Sequence, residues 1–149
     1  SDWAVKGQAY KEQLLFLVDE DTNAFNKIID GFRLPKDTNE EKQARALAIE
    51  NATIYATEIP FKVMETAFQS MEVMQAMLKD GLQNSLSDAG VGVLCARTAV
   101  IGAYFNVRIN AKDIKDRAFA ASILAKAAII YEQTIAIEND TIAFIDSKI

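Results

Sequence analysis

The chain has 149 residues, half of them hydrophobic and a quarter charged, with a formal net charge of -5, which is the size and composition of one ordinary soluble domain with its own core. An acidic balance without any basic cluster argues against nucleic acid as a partner. With no histidine and a single cysteine, Cys95, disulfides, zinc sites and histidine-dependent triads are excluded, so no metal site is expected and acid or base chemistry falls to Asp, Glu, Lys or Tyr.

Charge interrupts the apolar runs before the roughly 20 residues that a membrane span needs, and no signal peptide opens the chain. The expectation is a cytoplasmic protein with no membrane contact. Two prolines and six glycines are spread over the whole length, and no stretch alternates like a strand. This predicts an all-α fold, a bundle of long antiparallel helices forming one domain over residues 1–149.

The first helix starts near Asp2. Tyr10, Leu14, Leu17, Val18, Phe25, Ile28, Ile29 and Phe32 recur at intervals of three and four, giving an amphipathic helix that Gly31 is expected to end. Projected on it, Asp19 points away from the apolar stripe, as a solvated acid would. Asp21 falls inside the stripe, between Leu14, Leu17, Val18, Phe25 and Ile28, where a lone carboxylate is costly and must be paired or functional.

A turn follows at Phe32-Arg33-Leu34-Pro35-Lys36-Asp37, and Thr38 with Glu41 three residues later forms a capping box for a second helix. That helix runs to Ile59, where Pro60 is expected to break or kink it, and helix resumes over 61–80 with Phe61, Met64, Phe68, Met71 and Leu78 on its core side. Gly81 suits a C-terminal cap, and residues 84–87 form a polar linker.

The next helix, from Ser87 to Asn110, has no proline and almost no charge. One side gathers Asp88, Gly92, Cys95, Ala96, Ala99, Gly102, Ala103, Asn106 and Asn110, and the opposite side carries Val91, Leu94, Ile101 and Phe105. Interior glycine costs roughly 1 kcal/mol relative to alanine, so the small face implies a close approach, by another helix or by a flat ligand. Cys95 among these small neighbours reads as packing. Asp88 and Asn106 on the same face need partners or a site. Asp116 caps the last helix, in which Ile123, Ile130, Ile137 and Phe144 repeat at seven-residue spacing with Ala127, Thr134 and Thr141 between them. Such a seam packs lengthwise on another helix, inside the domain or across a dimer.

Four segments carry a resemblance. Leu-Val-Asp-Glu-Asp-Thr-Asn-Ala-Phe from Leu17, Leu-Pro-Lys from Leu34, Ser-Asp-Ala-Gly-Val from Ser87 and Gly-Ala-Tyr-Phe-Asn-Val-Arg-Ile-Asn from Gly102 resemble the cyclodeaminase family, which includes the C-terminal domain of formimidoyltransferase-cyclodeaminase and methenyltetrahydrofolate cyclohydrolases. The resemblance implies an all-helical, cyclohydrolase-like subunit that pairs into a homodimer and binds a tetrahydrofolate as substrate. It also implies a lyase reaction in histidine degradation and one-carbon metabolism: 5-formimidoyltetrahydrofolate closes to 5,10-methenyltetrahydrofolate with loss of ammonia. Family members usually begin with a further segment bearing a Pro-Gly-Gly-Gly-Ser turn and an alanine-rich helix, which nothing here matches, so the domain reads as incomplete at its N-terminus.

Cyclisation needs a group that moves protons, and without histidine a carboxylate is the natural choice. Asp21 is the first candidate and Asp88 the second. Asn106 and Asn110 are candidates for hydrogen bonds to the pterin edge or the p-aminobenzoyl amide, and Arg33 and Lys36 for attraction of the glutamate tail. Asp19, within the first matched segment, joins the substrate-binding candidates. A cyclohydrolase, or a helical dimerisation module without catalysis, remains an alternative.

Overall fold

The computed structural model describes residues 2–149. Four long helices, α1 (Asp2–Arg33), α2 (Asn39–Asp80), α3 (Leu86–Ala111) and α4 (Arg117–Asp146), follow one another with only a short 3-10 turn, Gln83–Ser85, between α2 and α3. The short connections make neighbours antiparallel, as the cross-contacts confirm. Glu72 of α2 meets Lys6 and Tyr10 of α1 while Tyr55 meets Glu20, and α3 pairs with α4 through Arg97 and Glu138, 3.0 Å apart. Helix α2 is the central element, with α1 on one side and α3 on the other, and α4 packs on α3 and touches α2. The predicted all-α bundle is thus the observed one.

The capping box stands as expected: Glu41 N–H donates to Thr38 Oγ1 and Thr38 N–H to Glu41 Oε2, both at 3.1 Å. Asp116 caps α4 by accepting from the Phe119 amide. Gly81 is the C-cap of α2, its amide donating to the Met77 carbonyl.

Pro60 does not break α2, which continues through it for 42 residues. A proline removes the amide that would bond the carbonyl four residues back. Here that carbonyl, of Ala56, accepts instead from Asn110 Nδ2 of α3 at 2.8 Å. The turns before it are reinforced by Thr53 and Thr57, whose hydroxyls donate to the Ile49 and Thr53 carbonyls.

Two glycine expectations need correction. Gly31 lies inside α1 rather than at its end; it is buried, and a Cβ there would sit 3.1 Å from Ile49 Cγ1, so its smallness serves the approach of α1 to α2. Gly102 has nothing within 4 Å of a Cβ and packs against no helix of this chain. The close approaches on α3 are at Gly92, where a Cβ would lie 2.8 Å from Met74 Cγ, and at Gly90, against Ile145. The line of α3 that enters the core is Leu86, Ala89, Val93, Ala96, Val100, Ala103 and Val107, at alternating three- and four-residue steps. Cys95 lies off this line and is exposed, so it is not a packing residue of the subunit.

The apolar stripe of α1 is wider than its buried face. Leu17, Ala24 and Gly31 are buried, whereas Val18 and Phe25 are 64% and 61% exposed. On α3, Val91, Leu94 and Phe105, opposite the small residues, are likewise exposed. Of the two packings expected for the seven-residue seam of α4, the one inside the domain is observed, with Ile123, Ala127, Thr134 and Thr141 buried. By length and composition α3 and α4 are each apolar enough to cross a membrane, which charge interruption did not predict. Here they are packed on each other, with an ion pair joining them and Glu138 only 14% exposed.

Candidate functional site

At the end of the bundle where α1 and α3 finish, the two helices flank a cleft whose floor is α2. Asp21, Phe25 and Ile28 come from α1, Ala56 from α2, and Asn106 and Asn110 from α3. Two resembling segments far apart in sequence, 17–25 and 102–110, therefore converge on one place. Phe25 and Ile28 supply an apolar wall against which a flat ring can lie, Asp21 the carboxylate, and the two asparagines the orienting amides. The cavity is about 160 Å³, below the roughly 300–1,000 Å³ of pockets that engulf a drug-sized ligand. It has room for a ring, not for a long molecule.

Asp21 is exposed. The expectation of a carboxylate enclosed in the apolar stripe is corrected, because the Val18 and Phe25 side of α1 has no helix of this chain over it. Among the described residues no hydrogen bond or ion pair engages the Asp21 carboxylate. Asn106 is exposed as well, and Asn110 is half-buried through its bond to α2.

The other predicted residues lie elsewhere. Asp88 is exposed in the first turn of α3, about 27 Å along the helix axis from Asn106 at 1.5 Å per residue, so the structure does not bring it to the cleft. Arg33 ends α1 and lies 3.9 Å from Asp30, and Lys36 stands exposed in the following turn. Both are at the cleft's end of the bundle but do not line it. Asp19 is exposed and outside the lining as well.

The constellation beside the cleft is not legible in the sequence alone. Glu20 and Tyr55, the neighbours of Asp21 and Ala56, meet across α1 and α2, the Tyr55 hydroxyl donating to the Glu20 carboxylate. The Lys27 ammonium lies 4.1 Å from the centre of the Tyr55 ring. The Tyr55 hydroxyl, followed by the Asn23 amide, holds the Glu20 carboxyl below the usual carboxylate range, and the same bond raises the Tyr55 hydroxyl. Glu20 is thus an occupied anion, poorly suited to donate a proton, and Asp21 is the available carboxylate at this place. The signal existed, since i and i+1 acids on one helix face different neighbours, but the register of α1 on α2 is needed to read it. Larger hollows run between α2 and α4, one of about 300 Å³ lined by Glu58, Phe61, Lys62, Glu65, Phe119, Ile123 and Lys126, but none draws on the resembling segments. Among the described residues no group of three or more Cys, Asp or Glu is placed to hold a metal.

The sequence profile described as formiminotransferase-cyclodeaminase matches residues 1–129. The chain is 31% identical over 144 residues to a methenyltetrahydrofolate cyclohydrolase of Methylorubrum extorquens, covering 97% of this chain and 69% of that protein. It is 40% identical over 111 residues to the formimidoyltransferase-cyclodeaminase of Mus musculus, covering 74% of this chain and 20% of that protein. A crystal structure of a formiminotetrahydrofolate cyclodeaminase from Thermotoga maritima shares the fold, with a TM-score of 0.72 over 95% of this chain and 64% of that one at 19% identity.

Proposed function

The chain belongs to the formiminotransferase-cyclodeaminase family, and from that premise we propose that it takes part in closing 5-formimidoyltetrahydrofolate to 5,10-methenyltetrahydrofolate and ammonia at the cleft between α1 and α3. The observation that carries this reading is the convergence of Asp21, Asn106 and Asn110 with the Phe25 wall.

Folate N10 attacks the formimidoyl carbon, forming the C–N10 bond, and the proton of N10 is passed to the exocyclic nitrogen. A second proton on that nitrogen lets the C–N bond break, and ammonia leaves the methenyl cation behind. Asp21 is the group proposed to relay these protons. Asn106 and Asn110 orient the ring so that N10 approaches the carbon in a near-attack geometry. The turn at Arg33 and Lys36, at the same end of the bundle, is placed to attract an anionic glutamate tail extending from the cleft.

Asp21→Asn tests this. Turnover should fall about 100-fold or more, in the range that general acid–base groups contribute, while folate affinity changes little. Turnover within a few-fold of the unaltered protein would remove Asp21 from the mechanism. The Methylorubrum relative, matched over nearly the whole chain, favours cyclohydrolase as the second reading, in which water adds to the methenyl carbon, gives up a proton, and one ring C–N bond opens to leave a formyl group. Ammonia release from 5-formimidoyltetrahydrofolate separates the two.

We also propose a homodimer. Phe25 on one wall of the cleft, Val18 on the same helix, and Phe105 and Ile109 next in sequence to the lining asparagines are more than half exposed, more apolar surface than a free face needs. A cleft with room for only a ring is deepened if a second copy closes over it.

A further inference from the structure

The bond that holds α2 together at Pro60 is made by a residue that lines the cleft. Pro60 has no amide hydrogen, so the Ala56 carbonyl has lost its ordinary helical donor. Ala56 is buried, at 6% exposure, where an unsatisfied carbonyl is costly. Asn110 Nδ2 donates to it at 2.8 Å. Only the amide nitrogen of a carboxamide can face a carbonyl oxygen, since Oδ1 is an acceptor. The side chain is therefore held in one of its two amide orientations, with one N–H spent on Ala56 and no hydrogen bond of this chain to Oδ1 among the described residues, and Asn110 lines the cleft.

We propose that Pro60 is a specificity-positioning residue: by baring the Ala56 carbonyl it locks Asn110 with its oxygen toward the cleft, so that the site reads a ligand edge made of N–H donors, such as the N3–H and 2-amino group of a pterin. This rests on the folate reading above and sharpens it, because a freely rotating asparagine would accept donor and acceptor edges alike. Pro60 itself touches no ligand; it acts through Asn110.

The test combines melting with calorimetric titration of folic acid and of an analogue carrying methyl in place of the 2-amino group. Pro60→Ala restores a backbone donor to Ala56 and releases Asn110. It should melt no lower than the unaltered protein yet bind folic acid about three- to ten-fold more weakly, the scale of one or two lost hydrogen bonds. Its preference for folic acid over the analogue should shrink. Asn110→Ala should lower the melting temperature in the Pro60 background and much less in the Pro60→Ala background, since there the carbonyl has its own donor. Asn110→Asp keeps acceptor oxygens toward the cleft but cannot donate to Ala56 when ionised, so it should lose stability while keeping most of the preference for folic acid. The proposal is overturned if Pro60→Ala binds both ligands as the unaltered protein does, or if Asn110→Ala destabilises equally in both backgrounds. Should the unaltered protein bind no folate, the functional reading falls and the ligand half of this proposal falls with it. The melting comparison still decides whether Pro60 and Asn110 act as a pair.

Discussion

Asn110 bonds the α2 backbone and also lines the cleft. Its nitrogen satisfies a carbonyl of α2, and its proposed ligand role falls to the oxygen, so changing Pro60 and changing Asn110 to Asp separate the two from opposite sides. The glycines of α3 divide in a different way. Gly102 faces open space, whereas a Cβ at Gly92 would press on Met74 2.8 Å away. Replacing an exposed helical glycine by alanine gains about 0.5–1 kcal/mol from propensity and backbone entropy. Gly102→Ala should therefore raise stability in urea unfolding by that amount, and Gly92→Ala should gain less or lose, because Met74 must move. A Gly102→Ala protein that is markedly destabilised would show that a further surface closes on that position.

Between elements, α1 is tied to α2 by two tyrosine–carboxylate bonds at different heights, Tyr10 to Glu72 and Tyr55 to Glu20. The Tyr10 hydroxyl, followed by Lys6, holds the Glu72 carboxyl below its usual range, and the bond to Glu72 raises the Tyr10 hydroxyl. A lowered carboxyl stabilises the fold above its unfolded value, about 4.3, and that contribution is lost as pH falls through the folded value. A raised phenol stabilises it below about 10, and that part is lost as pH rises through the folded value. Tyr10→Phe removes the tyrosine's share of both and leaves Glu72 its Lys6 contact, so melting profiles of the two proteins should differ most between these limits and converge in acid and in strong base. A constant gap across the whole range would mean that the bond does not hold the helices. The same pairing explains why α1 is well seated even though part of its apolar stripe is uncovered.

At the scale of the whole molecule, that uncovered surface is the feature a single chain leaves unexplained. Phe25 lines the cleft and Phe105 precedes its lining residue Asn106; both are more than half exposed, and burying such rings is worth about 1.5–3 kcal/mol each. If the proposed homodimer closes there, Phe105→Asp should shift sedimentation toward the monomer and weaken folate binding with it, while the helical circular-dichroism signal is kept. An unchanged sedimentation profile would place the subunit contact elsewhere.

The sequence by itself determined the helices, because their signals are local. The capping box at Thr38, the Asp116 cap and the seven-residue seam of α4 each depend on residues within a turn or two of one another, although the side on which the seam packs was left to the tertiary structure. The matched words also named Asp21, Asn106 and Asn110, which the cleft brings together. What only the tertiary structure decided depends on contacts between helices. An apolar stripe says that a face can be buried, not that a neighbour covers it, so Asp21 and Phe25 were expected inside and stand at an open cleft. A small-residue face does not say which glycine a partner approaches, so the close contacts fell to Gly90 and Gly92 and not to Gly102. Pro60 was expected to break or kink α2, which instead runs on through it; the donor to the carbonyl it bares, Asn110, lies fifty-four residues from Ala56.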